Sequence, residues 1–238
     1  MELLLSTRLK NELEQWPTEK VLLWACQTFG SRVAATSSFQ SQSLPLLHLI
    51  SKVYPDLTVL FVDTGFHFPE TLAFRDALAS SLGLNLKIIQ SEASATEFEH
   101  LYGNLYYKDP DRCCAIRKIA PLQNALDGYQ AWISGIRRDQ TETRHNADII
   151  QFHGNIIKIN PMIHWTQEDV NQYIEENDLP RHPLEARGYK SIGCFPCTHA
   201  VNETDSFRYG RWIGCEKIEC GLHKMSTPIY QTTIKVSN

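Results

Sequence analysis

The chain lacks most of the features that mark specialised proteins. No apolar run approaches the roughly 18 residues that cross a bilayer, so a spanning helix is not expected. The first ten residues hold only three consecutive leucines, too few for the apolar stretch of a secretory signal. Neither sign of charge dominates: 23 basic residues stand against 27 acidic ones, a net charge of −4. That balance gives no support to nonspecific nucleic-acid binding. Internal repeats, a domain-separating linker and the G-x-x-x-x-G-K-[ST] phosphate loop are all missing. Apolar residues make up 42% and charged residues 21%, which excludes low-complexity disorder and collagen-like structure. A length of 238 residues suits one catalytic domain, read as an α/β core over about 1–200 and a C-terminal segment over about 201–238.

Cysteine, by contrast, is plentiful. Cys26, Cys113, Cys114, Cys194, Cys197, Cys215 and Cys220 make an odd count in a chain with no export signal. A cytoplasmic location is expected, and there thiols stay reduced, so clustered cysteines serve as metal ligands or redox nucleophiles rather than as a disulfide scaffold.

Strand and helix signals alternate up to residue 134. Two helices are expected in the first thirty residues, divided at Pro17. A short β-leaning run over 32–39 precedes a helix over 40–53, where Leu46, Leu49, Ile50 and Val53 fall at helical spacing. The continuous apolar run 57–62 reads as a buried parallel strand, 69–82 as a helix with proline in its first turn, and 84–89 and 131–134 as further strands. The pattern predicts a doubly wound, mostly parallel sheet with helices on both faces, and ligands in such sheets bind outside the carboxyl ends of the strands. The segments 36–43, 63–67 and 135–144 therefore hold the candidate site. Thr166 and Asp169 form a capping-box variant that opens a helix with Val170, Tyr173 and Ile174 inward. From Leu179 onward little periodicity remains, and loops followed by a flexible tail are expected.

Four motifs carry chemistry. The small-residue loop Thr36–Ser43 presents backbone N–H groups to an anion beside a helix N-terminus, although taken alone it reads as an ordinary capping turn. Gly135–Arg144 places three arginines at a strand end, suited to phosphate or sulfate, or else simply solvated. Cys113-Cys114 and Cys194-x-x-Cys197 supply four thiolates, enough for tetrahedral zinc or an iron–sulfur cluster. A helix capped by Asp111 would set Arg117 four residues beyond Cys113 and Lys118 four beyond Cys114, giving cations to an anionic group. The fourth motif, Glu219-Cys-Gly-Leu-His223, sets Cys220 beside a flexible glycine, as suits a thiol that swings between two partners, or a surface cysteine of no function. Cys26 reads as a core residue, Cys215 as an inert neighbour, and His67 as a structural histidine, with a place in the site lining as the alternative.

Together Cys113-Cys114, Tyr189-x-Ser-Ile-Gly-Cys-x-Pro-Cys-Thr198 and Glu219-Cys-Gly-Leu-His223 resemble the assimilatory adenosine 5′-phosphosulfate reductases of the PAPS/APS reductase family. Val62-Asp-Thr-Gly-Phe-His-Phe-Pro-Glu-Thr71, Gly135-x-Arg-Arg-Asp-Gln140 and Trp165-Thr-x-x-Asp-Val170 extend the likeness over about residues 25–225. The resemblance implies an adenine-nucleotide α-hydrolase-like (PP-loop type) scaffold and a [4Fe-4S] cluster on Cys113, Cys114, Cys194 and Cys197. It implies that Cys220 attacks the sulfur of adenosine 5′-phosphosulfate (APS) to give an S-sulfocysteine and AMP, and that thioredoxin or glutaredoxin then releases sulfite. Ser37, Ser38 and Gly135 would contact the nucleotide. Lys118, Arg144, Arg208 and Arg211 would contact phosphate and sulfate, although the arginine loop is one residue shorter than in the commonest family version. The chain stops 18 residues after Cys220, so an external redoxin is expected rather than a fused one. No nucleic-acid or membrane partner is implied, and a homo-oligomer is allowed. Relatives that take 3′-phosphoadenosine 5′-phosphosulfate (PAPS) share the scaffold but typically lack the two cysteine pairs. A cluster-bearing enzyme that also accepts PAPS, a PP-loop RNA-modifying enzyme and a zinc-binding adenylate sensor are the alternatives.

Overall fold

A computed structural model describes residues 7–217, 219, 221 and 222. Its centre is a six-stranded sheet of order β3-β2-β1-β4-β6-β5. The strands are β1 (Val33–Thr36), β2 (Thr58–Asp63), β3 (Leu86–Gln90), β4 (Ala131–Ser134), β5 (Ile150–His153) and β6 (Ile156–Ile159). All neighbours pair in parallel except β5, which runs antiparallel to β6 at the edge. The helices are α1 (Thr7–Leu13), α2 (Thr18–Phe29), α3 (Leu44–Val53), α4 (Pro69–Leu82), α5 (Ala95–Tyr102), α6 (Leu105–Lys108), α7 (Pro110–Cys114), α8 (Ala120–Leu126) and α9 (Gln167–Glu176).

The two-residue side-chain period of a strand divides the core. Val33, Ala35, Val59, Phe61, Ala131, Ile133, Ile157 and Ile159 face one layer, where they meet Val21, Leu22 and Phe29 of α2, Leu46, Leu47 and Ile50 of α3, Phe74 and Leu78 of α4, and Val170 and Ile174 of α9. The alternate residues Ala34, Leu60, Ile89 and Trp132 face the other layer, against Leu122 and Leu126 of α8. Helices thus cover both faces, as predicted. Strand order reverses at β1, whose neighbours β2 and β4 are reached by connections to opposite sides. That reversal opens a crevice at the carboxyl ends of β1, β2 and β4.

Several boundaries differ from the sequence reading. A turn at Ser41–Ser43 precedes α3, which starts at Leu44. The cap of α7 is Asp109, whose carboxylate accepts from the Arg112 N–H at 2.9 Å; Asp111 pairs instead with Lys217. Helix α5 and the β5–β6 hairpin were unforeseen, although both had local signals. Ser94 and Glu97 form a reciprocal capping box, and Gly154-Asn155 joins two apolar runs through a two-residue turn with Gly154 at φ +59°. Beyond Leu179 the described residues are loops and single turns, as expected. The flexible tail proposed from sequence lies largely outside the described residues. Among these residues no helix is long and apolar enough to cross a membrane.

Helix α4 ends at Gly83, which sits at φ +62° and donates to Ala79 O and Ser80 O. A Cβ there would meet nothing within 4 Å, so Gly83→Ala isolates the left-handed backbone penalty. It is expected to destabilise the protein by about 1 kcal/mol in urea unfolding, with Gly83→Asn losing less.

Candidate active site

The crevice is a cavity of about 180 Å³ at the strand ends. All three segments singled out from sequence contribute: Thr36, Ser37 and Ser38 at the end of β1, His67 beyond β2, and Gly135, Gln140 and Arg144 after β4. Lys118, Arg208 and Arg211 complete the cationic lining, so every substrate-contacting residue expected from sequence lines this cavity.

The loop after β1 is held by its own side chains. Ser37 N donates to Leu60 O at 3.1 Å, and Ser37 Oγ accepts from Phe39 N at 3.0 Å. Phe39 takes the unusual value φ +53°, which drives its ring into the core against Phe61. Gln40 Oε1 accepts from Ile192 N at 2.8 Å, tying this loop to the segment that carries Cys194 and Cys197. Gly135 has Leu46 Cδ2 only 3.1 Å from where a Cβ would stand, so the chain passes closely between α3 and the cavity.

The arginine loop is sorted by tertiary contacts. Arg137 is buried and committed to Asp139, Gln42 and Gln167. Arg138 is committed to Glu14 and Ala147 O. Of the three arginines only Arg144 reaches the cavity, where Gln140 and Glu219 accept from it.

A second cavity adjoins the first and is lined by all four paired cysteines. Cys113 and Cys114 come from the end of α7, and Cys194 and Cys197 from a turn that an antiparallel bridge between His67 and Cys194 pins to the segment beyond β2. Cys194 Sγ lies 3.2 Å from Thr64 Oγ1. The six described cysteines are free thiols. Burial, reinforced by the other three thiols, pushes Cys113 up to about 12; burial together with Cys194 and Cys114 pushes Cys197 up to about 11. Thiolates here therefore need added positive charge, which a thiolate-bound metal group supplies. No group of three or more His, Cys, Asp or Glu among the described residues is arranged to hold a metal ion. The donor set, four thiols from two segments lining one cavity, has the residue chemistry of a thiolate-bound metal group.

A π-turn at Ala115–Ile119 follows Cys114, an irregularity common at functional sites. Both basic residues expected beside the thiols line the four-thiol cavity, but the turn gives them different partners. Arg117 is buried and structural: Nε and Nη2 donate to Thr64 O at 2.8 and 2.6 Å, and the guanidinium lies over Phe66 and Phe98. Lys118 instead lines both cavities, as do Arg211 and Trp212. The indole of Trp212 carries Arg211 at 4.4 Å, Lys217 at 5.4 Å and Arg208 at 5.6 Å. Sequence reading missed Trp212, which lies in no motif, and assigned no role to Gln140 and Leu222, which lie within the motifs 135–140 and 219–223. His67 is both structural and cavity-lining. Its Nε2 donates to Val62 O at 3.0 Å, its ring packs on Phe61, and burial together with Lys118 lowers it to about 4, so it is neutral. Cys26 is a core residue, as expected. Cys220 lies outside the described residues.

A doubly wound sheet with a cation-lined cleft at its strand-order reversal defines a nucleotide-binding α/β enzyme. The chain belongs to the phosphoadenosine phosphosulfate reductase domain family, whose model matches residues 32–200, and it is therefore an oxidoreductase acting on a sulfur group. It is 42% identical over 222 residues to the adenosine 5′-phosphosulfate reductase of Streptomyces coelicolor, covering 92% of this chain and 93% of that one. It is equally 42% identical over 226 residues to the phosphoadenosine 5′-phosphosulfate reductase of Gloeobacter violaceus, covering 91% and 94%. The crystal structure of phosphoadenylyl-sulfate reductase from Candida auris, a phosphate complex, superposes with a TM-score of 0.72 at 31% identity over 83% of this chain and 98% of that one. An FMN adenylyltransferase from Candida glabrata, at 15% identity and a TM-score of 0.57, shares the fold.

Gly193 makes room for Arg211: a Cβ there would lie 2.3 Å from Arg211 Nη2 and 2.6 Å from Cζ. Gly193→Ala is expected to displace that guanidinium with little change in melting temperature. Affinity for AMP, measured by calorimetry, should fall about tenfold, the scale of one lost charge-assisted contact.

Proposed function

We propose that this chain reduces adenosine 5′-phosphosulfate to sulfite and AMP. The observation that carries the reading is the wall of Lys118, Arg211 and Trp212 common to a cation-lined strand-end cleft and a four-thiol cavity. Relatives of both printed substrate names stand at equal identity, so the choice of substrate rests on the four cysteines, which in the resemblance accompany the simpler nucleotide. Ser37, Ser38 and Gly135 contact the nucleotide. Lys118, Arg144, Arg208 and Arg211 neutralise the phosphosulfate, because an anionic nucleophile approaching an anionic group needs cations around it.

Cys220 is the nucleophile. Its thiolate forms a bond to the sulfate sulfur, the bond from that sulfur to the bridging oxygen breaks, and the electron pair leaves with AMP. A thioredoxin or glutaredoxin thiolate then attacks the Cys220 sulfur and sulfite departs with its electrons. The second redoxin thiol resolves the mixed disulfide, so the dithiol supplies both electrons. Cys113, Cys114, Cys194 and Cys197 would hold a [4Fe-4S] cluster, which supplies a fixed, compact charge beside Lys118 when bound. The chain acts as a single catalytic unit in the cytoplasm, without nucleic-acid or membrane partners, and homo-oligomer formation is compatible with this chemistry.

Intact-mass analysis after mixing with the substrate and no redoxin is expected to give a sulfonate adduct mapped to Cys220. Cys220→Ser should abolish it with iron content unchanged; an adduct that persists in that variant would move the nucleophile to another thiol. Lys118→Ala should slow sulfonation roughly 100-fold, as loss of one preorganised charge does, again with iron retained. In competition, kcat/KM for APS should exceed that for PAPS, and equal values would refute the substrate preference.

A further inference from the structure

Glu219 immediately precedes Cys220. It is a buried carboxylate, 6% exposed, whose two oxygens serve three partners. Oε2 accepts from Arg144 Nη2 at 2.8 Å and stands 3.7 Å from Arg208 Nη2, while Oε1 accepts from Thr141 Oγ1 at 3.0 Å. Burial by itself raises the carboxyl, but Arg144 and Arg208, with the hydrogen bonds from Arg144 and Thr141, outweigh it and hold the group below the usual carboxylate range. A desolvated carboxylate is tolerated only where its partners stand, so this ion pair fixes where the chain runs.

A second anchor lies on the other side of Cys220. Leu222 is buried among Ala34, Leu60 and Trp132 and lines the strand-end cavity. Gly221 between them takes φ +73°, and a Cβ there would stand 3.1 Å from Ile119 Cδ1. The cysteine is therefore preceded by a polar anchor and followed by an apolar one.

We propose that Glu219 is a positioning residue that locks the cysteine-bearing segment onto Arg144 and Arg208, the same guanidinium groups that serve the anionic part of the substrate. The proposal rests on the sulfonucleotide reading above. Docking of the nucleophile and binding of the anion draw on one pair of cations, so the enzyme gives up nucleotide affinity to place its thiol. Removing the carboxylate withdraws one anionic partner from each arginine and leaves the thiol unplaced, so affinity and chemistry move in opposite directions. A purely structural role would lower both.

The test uses the full chain with its metal content measured, and compares wild type with Glu219→Gln, Glu219→Ala and Glu219→Asp. Calorimetry gives the AMP Kd, and intact mass gives the single-turnover rate of Cys220 sulfonation at saturating APS without redoxin. The Gln and Ala variants are expected to bind AMP more tightly than wild type. They should sulfonate roughly 10- to 100-fold more slowly, the scale of a misplaced reacting group, and the Asp variant should recover part of the rate. Thr141→Val, which removes one contact of the three, should show a smaller loss of the same kind and covers the case in which Glu219 variants fold poorly. Parallel weakening of AMP binding and sulfonation, or an unchanged sulfonation rate, would overturn the proposal. A wild-type chain that takes up no sulfonate would overturn the substrate reading itself, whereas a sulfonated wild type with unaffected variants would overturn only the role of Glu219.

Discussion

Everything in the site depends on placing cations between two groups of potential negative charge. One wall, made by Lys118, Arg211 and Trp212, separates the strand-end cavity from the four-thiol cavity. Buried thiols raise one another, and an anionic nucleotide repels any thiolate brought towards it. Lys118 and Arg211 face both sides, so the charge on one side sets how strongly they act on the other. Both cations are half-buried, where that coupling is stronger than in bulk water.

The wall exists because unrelated parts of the chain meet at it. Lys118 is delivered by a π-turn inserted between α7 and α8, which commits its neighbour Arg117 to backbone carbonyls. Arg211 reaches the wall through an antiparallel bridge to Thr198 and a glycine at 193 that leaves space for its guanidinium. The strand-order reversal at β1 supplies the cleft into which these cations project. The proposed clamp of Glu219 on Arg144 and Arg208 adds the C-terminal segment to the same electrostatic unit.

Sequence and structure agree where the signal is local or periodic. Helix α4 and strand β4 match their expected limits of 69–82 and 131–134 because proline, a left-handed glycine and a continuous apolar run are strong local determinants. The capping box of α9 is likewise where Thr166 and Asp169 place it. The hairpin β5–β6 was overlooked because its strands are only four residues each, and its stability comes from joining the sheet edge rather than from its own pattern. The three arginines of 135–144 look alike in sequence. Only long-range partners, Gln42 and Gln167 for Arg137 and Glu14 for Arg138, decide that Arg144 alone reaches the cavity.

By itself the sequence determined the alternation that makes a doubly wound sheet, the strand ends at which a ligand would sit, and the paired cysteines with their basic neighbours. These follow from side-chain period, turn chemistry and residue type, which act over a few positions. Tertiary structure alone decided that the cysteine pairs, 80 positions apart between Cys114 and Cys194, line one cavity, that this cavity shares a wall with the nucleotide cleft, and that Glu219 holds two of the cleft's arginines. Those outcomes depend on which distant segments pack together, because charge and burial act through space whereas motifs are read along the chain.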